Sequence, residues 1–507
     1  MRRAAAVMPV SISAADAARL AGGAVVHGDP AAFVCGAAVD SRAVEPGMLF
    51  VALRGEHADG HRFVGEALRR GAGAALIAAG APASDVPPAG AVLIRTADTL
   101  LGLQRLGRGL RDRRPLRVVG ITGSVGKTST KEMTALVLAE RFETARSPEN
   151  WNTEIGIPLV LVNLPAAASV AVLELAMRGP GQIRELVEIA HPQIGVVTAI
   201  GESHMDFFET REQLAAAKGE LIEGLPPDGV AVLNADDPLA LSLAGRGPAR
   251  VMTFGFGEAD ATARGVRMRP GEGSAFVLRV GGDEAPAALA VPGRHAIRNA
   301  LAAAAVGAAL GIPAAEIARG LGRARAMPKR LEVLRLGGAV VINDVYNSSP
   351  RSMEAALDVM DEFAGRPRIA VLGDMRELGA LSMEVHRRVG REVARRGIDT
   401  LIALGPLAAD LAGAAGEAGL PCVVRTIAPA EALDALRREI RPGAVVLVKG
   451  SRALAMEQIV DALRQEAAKA AGGPAQTGQE AAKAAGGPAQ TGHEAPAVDA
   501  AAGHHVS

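Results

Sequence analysis

The residues with the clearest chemical potential form a loop of the type that binds phosphate. Residues 122–128 read Thr-Gly-Ser-Val-Gly-Lys-Thr and stand between a short apolar run and a stretch with helical periodicity. The two glycines let backbone N–H groups turn toward phosphate oxygens, and the amino end of the next helix adds a positive dipole. Lys127 is placed to neutralise the terminal phosphates and Thr128 to ligate Mg²⁺. Ile121 stands where the general motif has its first glycine, so the loop is a variant of the form TGxxGKT.

Three other residues could serve a nucleotide site, although each is ordinary when it is taken alone. Glu174 ends an apolar run, so its carboxylate could reach a metal ion near the phosphates. His204 follows another apolar run, and Lys218 lies in the sequence Ala-Lys-Gly-Glu. A single carboxylate, histidine or lysine at such positions is usually structural or exposed to solvent. These residues therefore indicate a nucleotide site only when they are taken together with the loop.

The elements that would position these residues follow the alternation of buried strands and amphipathic helices that is typical of α/β proteins. A helix is predicted over 127–141, directly after the loop, and short antiparallel strands are predicted over 266–291. We therefore expect a protein of the α/β class. The other predicted strands lie at 118–122, 170–175, 195–200, 230–234, 369–372, 400–404 and 445–448.

The domain organisation follows from the length and from two breaks in the pattern. A chain of 507 residues is long enough for about three domains, and linkers are predicted at 111–114 and 323–329. Residues 465–478 repeat without change as 479–492, and the repeat has too few large apolar side chains for a core, so we expect a disordered tail. The predicted segments are domains at 1–113, 114–325 and 326–464 and the tail at 465–507.

The composition restricts the kinds of partner that the chain can have. Lysine plus arginine number 55, as do aspartate plus glutamate, so no net charge attracts the chain to nucleic acid. Two cysteines exclude a disulfide scaffold and indicate a reducing compartment. No apolar run is long enough to span a membrane. We expect a cytoplasmic monomer that neither binds nucleic acid nor inserts into a membrane.

The loop, the segment around His204 and the segment around Lys218 together resemble the Mur ligases, the ATP-dependent amino-acid ligases of peptidoglycan precursor synthesis. The resemblance extends from about residue 39 to residue 463. Near the amino terminus, Asp40-Ser-Arg, the run Pro46-Gly-Met-Leu-Phe-Val-Ala-Leu and Asp59-Gly-His-Arg-Phe resemble the uridine-nucleotide domain of two members of the family. One of these members adds the third residue of the peptide, and the other adds the terminal dipeptide.

The C-terminal segments resemble the dipeptide-adding member. They begin at Asp344 (Asp-Val-Tyr-Asn-Ser-Ser-Pro), Leu372 (Leu-Gly-Asp-Met-Arg-Glu-Leu-Gly) and Val448 (Val-Lys-Gly-Ser-Arg). The resemblance implies a ligase that uses ATP and Mg²⁺ to join D-alanyl-D-alanine to UDP-N-acetylmuramoyl-tripeptide through an acyl phosphate. It also implies an N-terminal uridine-nucleotide-binding α/β domain, a central P-loop ATPase-like parallel-sheet domain and a C-terminal Rossmann-like α/β domain.

The resemblance implies a role for individual residues as well. The ATP phosphates would be held by Gly123, Ser124, Val125, Gly126, Lys127, Thr128 and Ser129. Two metal sites are implied, one at Thr128 and Glu174 and the other at His204 and a carbamylated Lys218. Further nucleotide contacts would come from Asn299, Arg330 and Asp344, and substrate contacts from Ser41, Arg42 and Asn347. The residues assigned to the reaction itself are Lys127, Lys218 and His204.

Two alternatives remain open at this point. One is a phosphate-loop switch, in which the nucleotide state controls partner binding and no amide is formed. The other is a related ligase, either the member that adds diaminopimelate or lysine or an enzyme similar to folylpolyglutamate synthase. The uridine-type segments argue against the folate enzyme, and the segments at Tyr346-Asn347 and Gly373-Asp-Met375 argue against the amino-acid-adding member.

Overall fold

The computed structural model describes residues 8–55, 58–80, 90–148, 150–202 and 204–470. Their contacts divide the chain into two compact units. The first unit comprises residues up to 115 together with 154–167, and the second comprises 116–153 and the described residues from 168 onward. The chain therefore leaves the first unit, begins the second, returns to the first for one short segment and then completes the second.

The first unit is built on a five-stranded sheet in the order β2-β7-β6-β5-β4. Strands β4 to β7 are parallel, whereas β2 pairs with β7 in the antiparallel direction. The elements before residue 113 are β1 (Ser11–Ser13), α1 (Ala14–Ala21), β2 (Ala24–His27), β3 (Phe33–Cys35), β4 (Ala37–Ala38), β5 (Leu49–Val51), α2 (Val64–Arg69), β6 (Ala74–Ala78), β7 (Val92–Thr96) and α3 (Thr99–Asp112).

The middle of the chain supplies a nine-stranded sheet in the order β16-β15-β14-β13-β12-β11-β8-β10-β9. The elements are β8 (Arg117–Thr122), α4 (Lys127–Leu138), β9 (Thr144–Arg146), α5 (Gly156–Val162), β10 (Val170–Glu174), α6 (Gln182–Ala190), β11 (Ile194–Val197), α7 (Arg211–Glu223), β12 (Val230–Asn234), α8 (Pro238–Leu241), β13 (Arg250–Phe254), β14 (Ala261–Arg269), β15 (Gly273–Val280), β16 (Asp283–Leu289), α9 (Arg294–Ala309) and α10 (Ala314–Leu321).

Strand β8 occupies the position where the direction of strand order reverses. Its neighbours are β10 on one side and β11 on the other, and both pair with it in parallel. The register pairs Glu174 with Ile121 and Val197 with Thr122, so all three strands end at the same edge. In open parallel sheets, ligands bind at this edge beside such a reversal. The topology thus brings together the loop after Thr122, Glu174 at the end of β10 and the residues that follow β11.

The C-terminal part carries a six-stranded sheet in the order β17-β18-β22-β19-β20-β21, in which only β17 is antiparallel to its neighbour. The elements are β17 (Glu332–Leu336), β18 (Ala339–Asp344), α11 (Pro350–Asp361), β19 (Arg368–Gly373), α12 (Ser382–Arg395), β20 (Thr400–Leu404), α13 (Ala408–Glu417), β21 (Cys422–Thr426), α14 (Pro429–Glu439), β22 (Val445–Lys449) and α15 (Glu457–Ala470).

Helix α9 packs closely against helix α4, which follows the loop. Alanine has the highest helix propensity, and α9 contains the run Ala302–Ala305, in which every side chain is fully buried. A Cβ on Gly307 would lie 2.7 Å from Cγ1 of Val137 in α4, so only glycine fits there. Small side chains therefore let α9 approach the helix whose amino end carries Lys127.

The structure confirms the α/β class and most of the predicted strands. Strands β12 and β20 have the predicted bounds, and 266–291 forms the antiparallel strands β14 to β16 in part. The helix predicted over 127–141 ends at Leu138. The prediction of a disordered tail from residue 465 is wrong for residues 465–470, because this Gln-Glu-Ala-Ala-Lys-Ala segment consists of good helix formers and extends α15. The remainder of the predicted tail lies outside the described residues. No helix in the described part of the chain is long and apolar enough to cross a membrane.

Candidate active site

The loop between β8 and α4 requires glycine at two positions. Gly123 and Gly126 have φ angles of +147° and +87°, which residues with a side chain rarely adopt. A Cβ on Gly123 would collide with Oγ1 of Thr198, and a Cβ on Gly126 would lie 2.6 Å from Oδ1 of Asn299. The loop is therefore formed against the end of β11 on one side and against α9 on the other.

Thr198, which the sequence analysis did not identify, braces the loop. Its hydroxyl donates to the carbonyl of Val125 at 2.6 Å. Ser124 contributes two more contacts, since its N–H donates to the Ala199 carbonyl at 2.8 Å and its Oγ accepts from the Gly201 N–H at 3.0 Å. The only sequence signal for Thr198 is its position directly after β11, at the same sheet edge as the loop. These contacts fix the loop backbone before any phosphate arrives.

Two lysines of the predicted site have lowered pKa values. Lys127 Nζ donates to the carbonyl of Gly123 at 2.7 Å, and burial lowers the pKa of its ammonium, while the charge of Glu174 opposes this shift. Lys218, in α7, has a side chain that is almost fully buried. Burial first, and then the positive charge of Lys127, lower the pKa of Lys218 well below its usual range. The site thus favours the neutral amine of Lys218, which is the form that can react with carbon dioxide.

Glu174 stands next to the hydroxyl at the start of α4. Thr128 Oγ1 donates to Glu174 Oε2 at 2.8 Å, and Asn152 Nδ2 donates to Oε1 at 2.9 Å. Carboxylate and hydroxyl oxygens are the hard ligands that Mg²⁺ prefers. Within the described residues, no group of three or more His, Cys, Asp or Glu side chains could hold a metal by itself. The residues present therefore fit a cation that completes its shell with phosphate oxygens, as Mg²⁺ usually does.

His204 is held by the loop that follows β19. Its Nδ1 lies 2.7 Å from Oε2 of Glu377. Burial lowers the pKa of His204. The contact with the His204 side chain lowers the pKa of Glu377. Both residues have left-handed φ angles, +62° for His204 and +61° for Glu377, and the Met205 N–H donates to the Glu377 carbonyl at 3.0 Å. Such strain in two facing residues is typical of functional sites.

Two arginines of the C-terminal helices secure the segment that carries His204. Arg351 in α11 donates to Asp237 Oδ2 at 2.6 Å, and the same oxygen accepts from the Ile200 N–H at 2.8 Å. Arg388 in α12 pairs with Glu202. Asp237 also caps α8, because its side chain accepts from the N–H groups of Leu239 and Ala240. One buried carboxylate thus connects α8, the segment after β11 and α11.

Asp344 and Arg330 are connected through the backbone. The carboxylate of Asp344 accepts from Lys449 Nζ at 2.6 Å and from the Leu331 N–H at 3.1 Å. Burial raises the pKa of Asp344, and the ammonium of Lys449 opposes this shift. The charge of Arg330 reaches Lys127, because it contributes to the lowered pKa of that lysine. Asp344 thus fixes the backbone next to Arg330.

The structure brings most of the predicted site residues into the second unit. The loop residues to Ser129, Glu174, His204, Lys218, Asn299, Arg330 and Asp344 all lie there. Asn347 is also in the second unit, where its side chain is exposed and its carbonyl accepts from Lys449 Nζ at 2.8 Å. Ser41 and Arg42 lie in the first unit, with Ser41 buried and Arg42 paired to Asp40 at 2.7 Å.

Comparison with protein-family models gives three matches along the chain. Residues 34–108 match the model described as Mur ligase family, catalytic domain. Residues 121–307 match the Mur ligase middle domain. Residues 329–452 match the model described as Mur ligase, glutamate ligase domain. The three regions follow one another in the order that the sequence predicted for a three-domain α/β protein.

The chain matches individual relatives over almost their full length. The chain is 36% identical over 428 residues to the UDP-N-acetylmuramoyl-tripeptide–D-alanyl-D-alanine ligase of Bacillus subtilis, which covers 84% of this chain and 92% of that protein. It is similar to the crystal structure of MurF from Acinetobacter baumannii, with a TM-score of 0.81, 29% identity and coverage of 90% and 99%. MurF ligase from Thermotoga maritima in complex with ADP matches with a TM-score of 0.74, 27% identity and coverage of 86% and 98%.

Proposed function

The chain belongs to the Mur ligase family, and on this basis we propose that it joins D-alanyl-D-alanine to UDP-N-acetylmuramoyl-tripeptide at the expense of ATP. The relative from Bacillus subtilis carries this ligation in its name. The product would be a precursor of peptidoglycan. The observation that carries the proposal is the meeting of the phosphate loop and Glu174 at one edge of the nine-stranded sheet, together with the buried Lys218, whose pKa the charge of Lys127 helps to lower.

This arrangement suits the activation of a carboxylate. A carboxylate is a poor electrophile, and forming an amide from it in water is uphill. Transfer of the γ-phosphoryl group of ATP to the carboxylate oxygen gives an acyl phosphate and ADP. The amine of D-alanyl-D-alanine then attacks the carbonyl carbon and expels phosphate. The first step brings two anions together, so the site must supply positive charge.

Lys127 supplies part of that charge. Its ammonium now contacts the carbonyl of Gly123 within the loop, and phosphate oxygens would replace that contact. The N–H groups of the first turn of α4 would stabilise the same anion. Arg330 adds a second cation from the C-terminal part, and its charge already reaches Lys127. The charges of the transferred group would thus be balanced from two segments of the chain.

Mg²⁺ would be held by Thr128 and Glu174 in one place and by His204 and a carbamylated Lys218 in another. When bound, Mg²⁺ would neutralise phosphate charge during the transfer. Lysine as an ammonium repels a cation, but its carbamate is an anionic oxygen ligand. The environment of Lys218 supports this change, because burial and the charge of Lys127 favour its neutral amine. Asn152 and Ser147 keep Glu174 in place through its side chain and its N–H.

Identification of the product tests the proposal directly. We would incubate the protein with ATP, Mg²⁺ and UDP-N-acetylmuramoyl-tripeptide, add D-alanyl-D-alanine, diaminopimelate, lysine or glutamate in separate reactions, and weigh the products. We expect a mass gain with the dipeptide alone. A gain with a single amino acid would assign the chain to another ligation of the family.

Phosphate release distinguishes a ligase from a nucleotide switch. A ligase releases phosphate only when both the acid and the amine are present, whereas a switch hydrolyses ATP without them. Lys127→Ala should abolish product formation, because it removes the charge nearest to the phosphates. Full product formation by this variant would overturn the proposed mechanism.

A further inference from the structure

Arg330 is presented by a strained and well-anchored segment. The residues on either side of it, Lys329 and Leu331, both have left-handed φ angles, +62° and +49°, although neither is glycine. Two hydrogen bonds hold this conformation. The Tyr346 N–H donates to the Lys329 carbonyl at 3.1 Å, and the Leu331 N–H donates to Asp344 Oδ1 at 3.1 Å. A strained backbone persists only where neighbouring contacts hold it in place. These contacts therefore fix the position of Arg330.

The side chain of Arg330 is anchored as well. Its guanidinium carbon lies 3.8 Å from the centre of the Tyr346 ring, and that of Arg452 lies 5.5 Å from the same centre. Tyr346 is the only tyrosine among the 507 residues. A guanidinium at this distance is attracted by the ring, and the attraction increases where water is excluded. The ring therefore limits the directions in which the Arg330 side chain can point.

The segment that carries Tyr346 is fixed by the end of β22. Lys449, the last residue of that strand, is buried and donates to Asp344 at 2.6 Å and to the carbonyl of Asn347 at 2.8 Å. Arg452 follows three residues later and begins a short 3₁₀ helix. One strand end thus secures both the residue after Tyr346 and the second arginine on its ring.

We propose that Tyr346 is a positioning residue that holds the guanidinium of Arg330 in the direction of the ATP phosphates. This inference rests on the proposed function, because it assigns Arg330 to the nucleotide. Tyr346 itself need not touch the substrate. Its ring and its backbone N–H act on Arg330 and Lys329, and a substitution of the side chain leaves the backbone contact in place.

A double-mutant cycle separates this role from direct contact with the nucleotide. The proteins are the wild type, Tyr346→Leu, Arg330→Gln and the double variant. The measurements are kcat and KM for ATP, and the Kd of a non-hydrolysable ATP analogue by calorimetry, which needs no turnover. We expect Tyr346→Leu alone to lose about 5- to 30-fold in kcat/KM, the range of a partly desolvated cation–π contact. In the Arg330→Gln background, the same change should cost less than about twofold.

The conservative variant gives an independent readout. Tyr346→Phe keeps the ring face and should stay within about threefold of the wild type, because the attraction depends on the ring rather than on the hydroxyl. Additive effects in the cycle would show that Tyr346 contacts the nucleotide itself and would overturn the proposal. Equal losses in Tyr346→Phe and Tyr346→Leu would also overturn it.

A matched control is available on the amino-terminal end of β8. Arg117 lies 5.9 Å from the ring centre of Phe142, and it begins the strand whose other end carries the loop. Phe142→Leu removes a longer arginine–ring contact and should leave KM for ATP unchanged. Absence of ligation by the wild type would count against the proposed function, whereas the binding cycle would still decide the role of Tyr346.

Discussion

The contact between Arg351 and Asp237 offers the sharpest test of how the segment around His204 is held. Arg351 Nη1 lies 2.6 Å from Asp237 Oδ2, and the exposed fractions of the two side chains are 35% and 2%. Arg351→Met keeps a long apolar side chain but removes the charge. The buried carboxylate would then lose its one side-chain partner among the described residues and keep backbone N–H donors from Ile200 and Leu239.

The expected loss in the free energy of unfolding of Arg351→Met lies between two limits. Breaking a fully buried ion pair costs roughly 3–5 kcal/mol, because it leaves an uncompensated charge. Here the arginine is partly hydrated and the carboxylate keeps backbone donors, so the cost approaches that of a hydrogen bond to a charged group. We therefore expect Arg351→Met to lower the free energy of unfolding by about 2 kcal/mol.

A control pair in the same part of the chain isolates the effect of burial. Arg387 and Glu417 are also 2.6 Å apart, and Arg387 is also 35% exposed, but Glu417 is 63% exposed. Arg387→Met should cost about 0–0.5 kcal/mol, as for other surface pairs. Urea unfolding would be followed through Trp151, the only tryptophan in the chain, which lies in the same unit as both pairs.

The comparison has a clear negative outcome. Equal shifts of the urea midpoint in the two arginine variants would refute the argument that the burial of Asp237 decides the cost. We also expect KM for ATP to rise in Arg351→Met alone, because the arginine shares Asp237 Oδ2 with the Ile200 N–H in the segment that leads to His204. An unchanged KM would show that the contact stabilises the fold without shaping the site.

Three further predictions concern the lysine, the loop and a buried carboxyl. Lys218→Ala should lose activity and regain part of it with added short carboxylic acids, which substitute for the carbamate oxygens; a ligation assay that finds full activity would contradict the carbamate assignment. Gly123→Ala should greatly raise KM for ATP, because its Cβ would collide with Thr198; an unchanged KM would contradict the described loop geometry. Burial raises the pKa of Glu362 to about 7, so the folded protein binds this proton more tightly than the unfolded chain and loses stability as pH rises from 5 to 8. Glu362→Gln should therefore gain stability relative to the wild type over that range, measured by urea midpoints at pH 5 and pH 8, and a constant difference would argue against the shift.

Local sequence patterns were sufficient to predict the strands and the phosphate loop. Buried parallel strands are short apolar runs, so their positions follow from hydrophobicity alone. The glycines, lysine and threonine of the loop are adjacent in sequence, and their chemistry is visible there. The helical segment at 465–470 was missed because its repeat indicated low complexity, although its residues are good helix formers.

Long-range partners could not be predicted in this way. Thr198 meets Val125 across 73 positions, and Arg351 meets Asp237 across 114. Neither pair has a local signature, because an arginine on a helix and a threonine after a strand are ordinary in any α/β protein. Their roles arise only when the sheet order places the ends of β8 and β11 side by side.

The return of the chain to the first unit has a consequence for biosynthesis. Helix α5 packs on α3, where a Cβ on Gly107 would lie 2.9 Å from Cα of Pro158, and Asn163 binds both the N–H and the carbonyl of Ala37. A ribosome must therefore pass residue 167 before the first unit can close. A fragment that stops at residue 115 would expose the apolar side of α3 to solvent and would be a target for proteases and aggregation. Any truncation meant to isolate this unit needs residues 154–167 supplied with it.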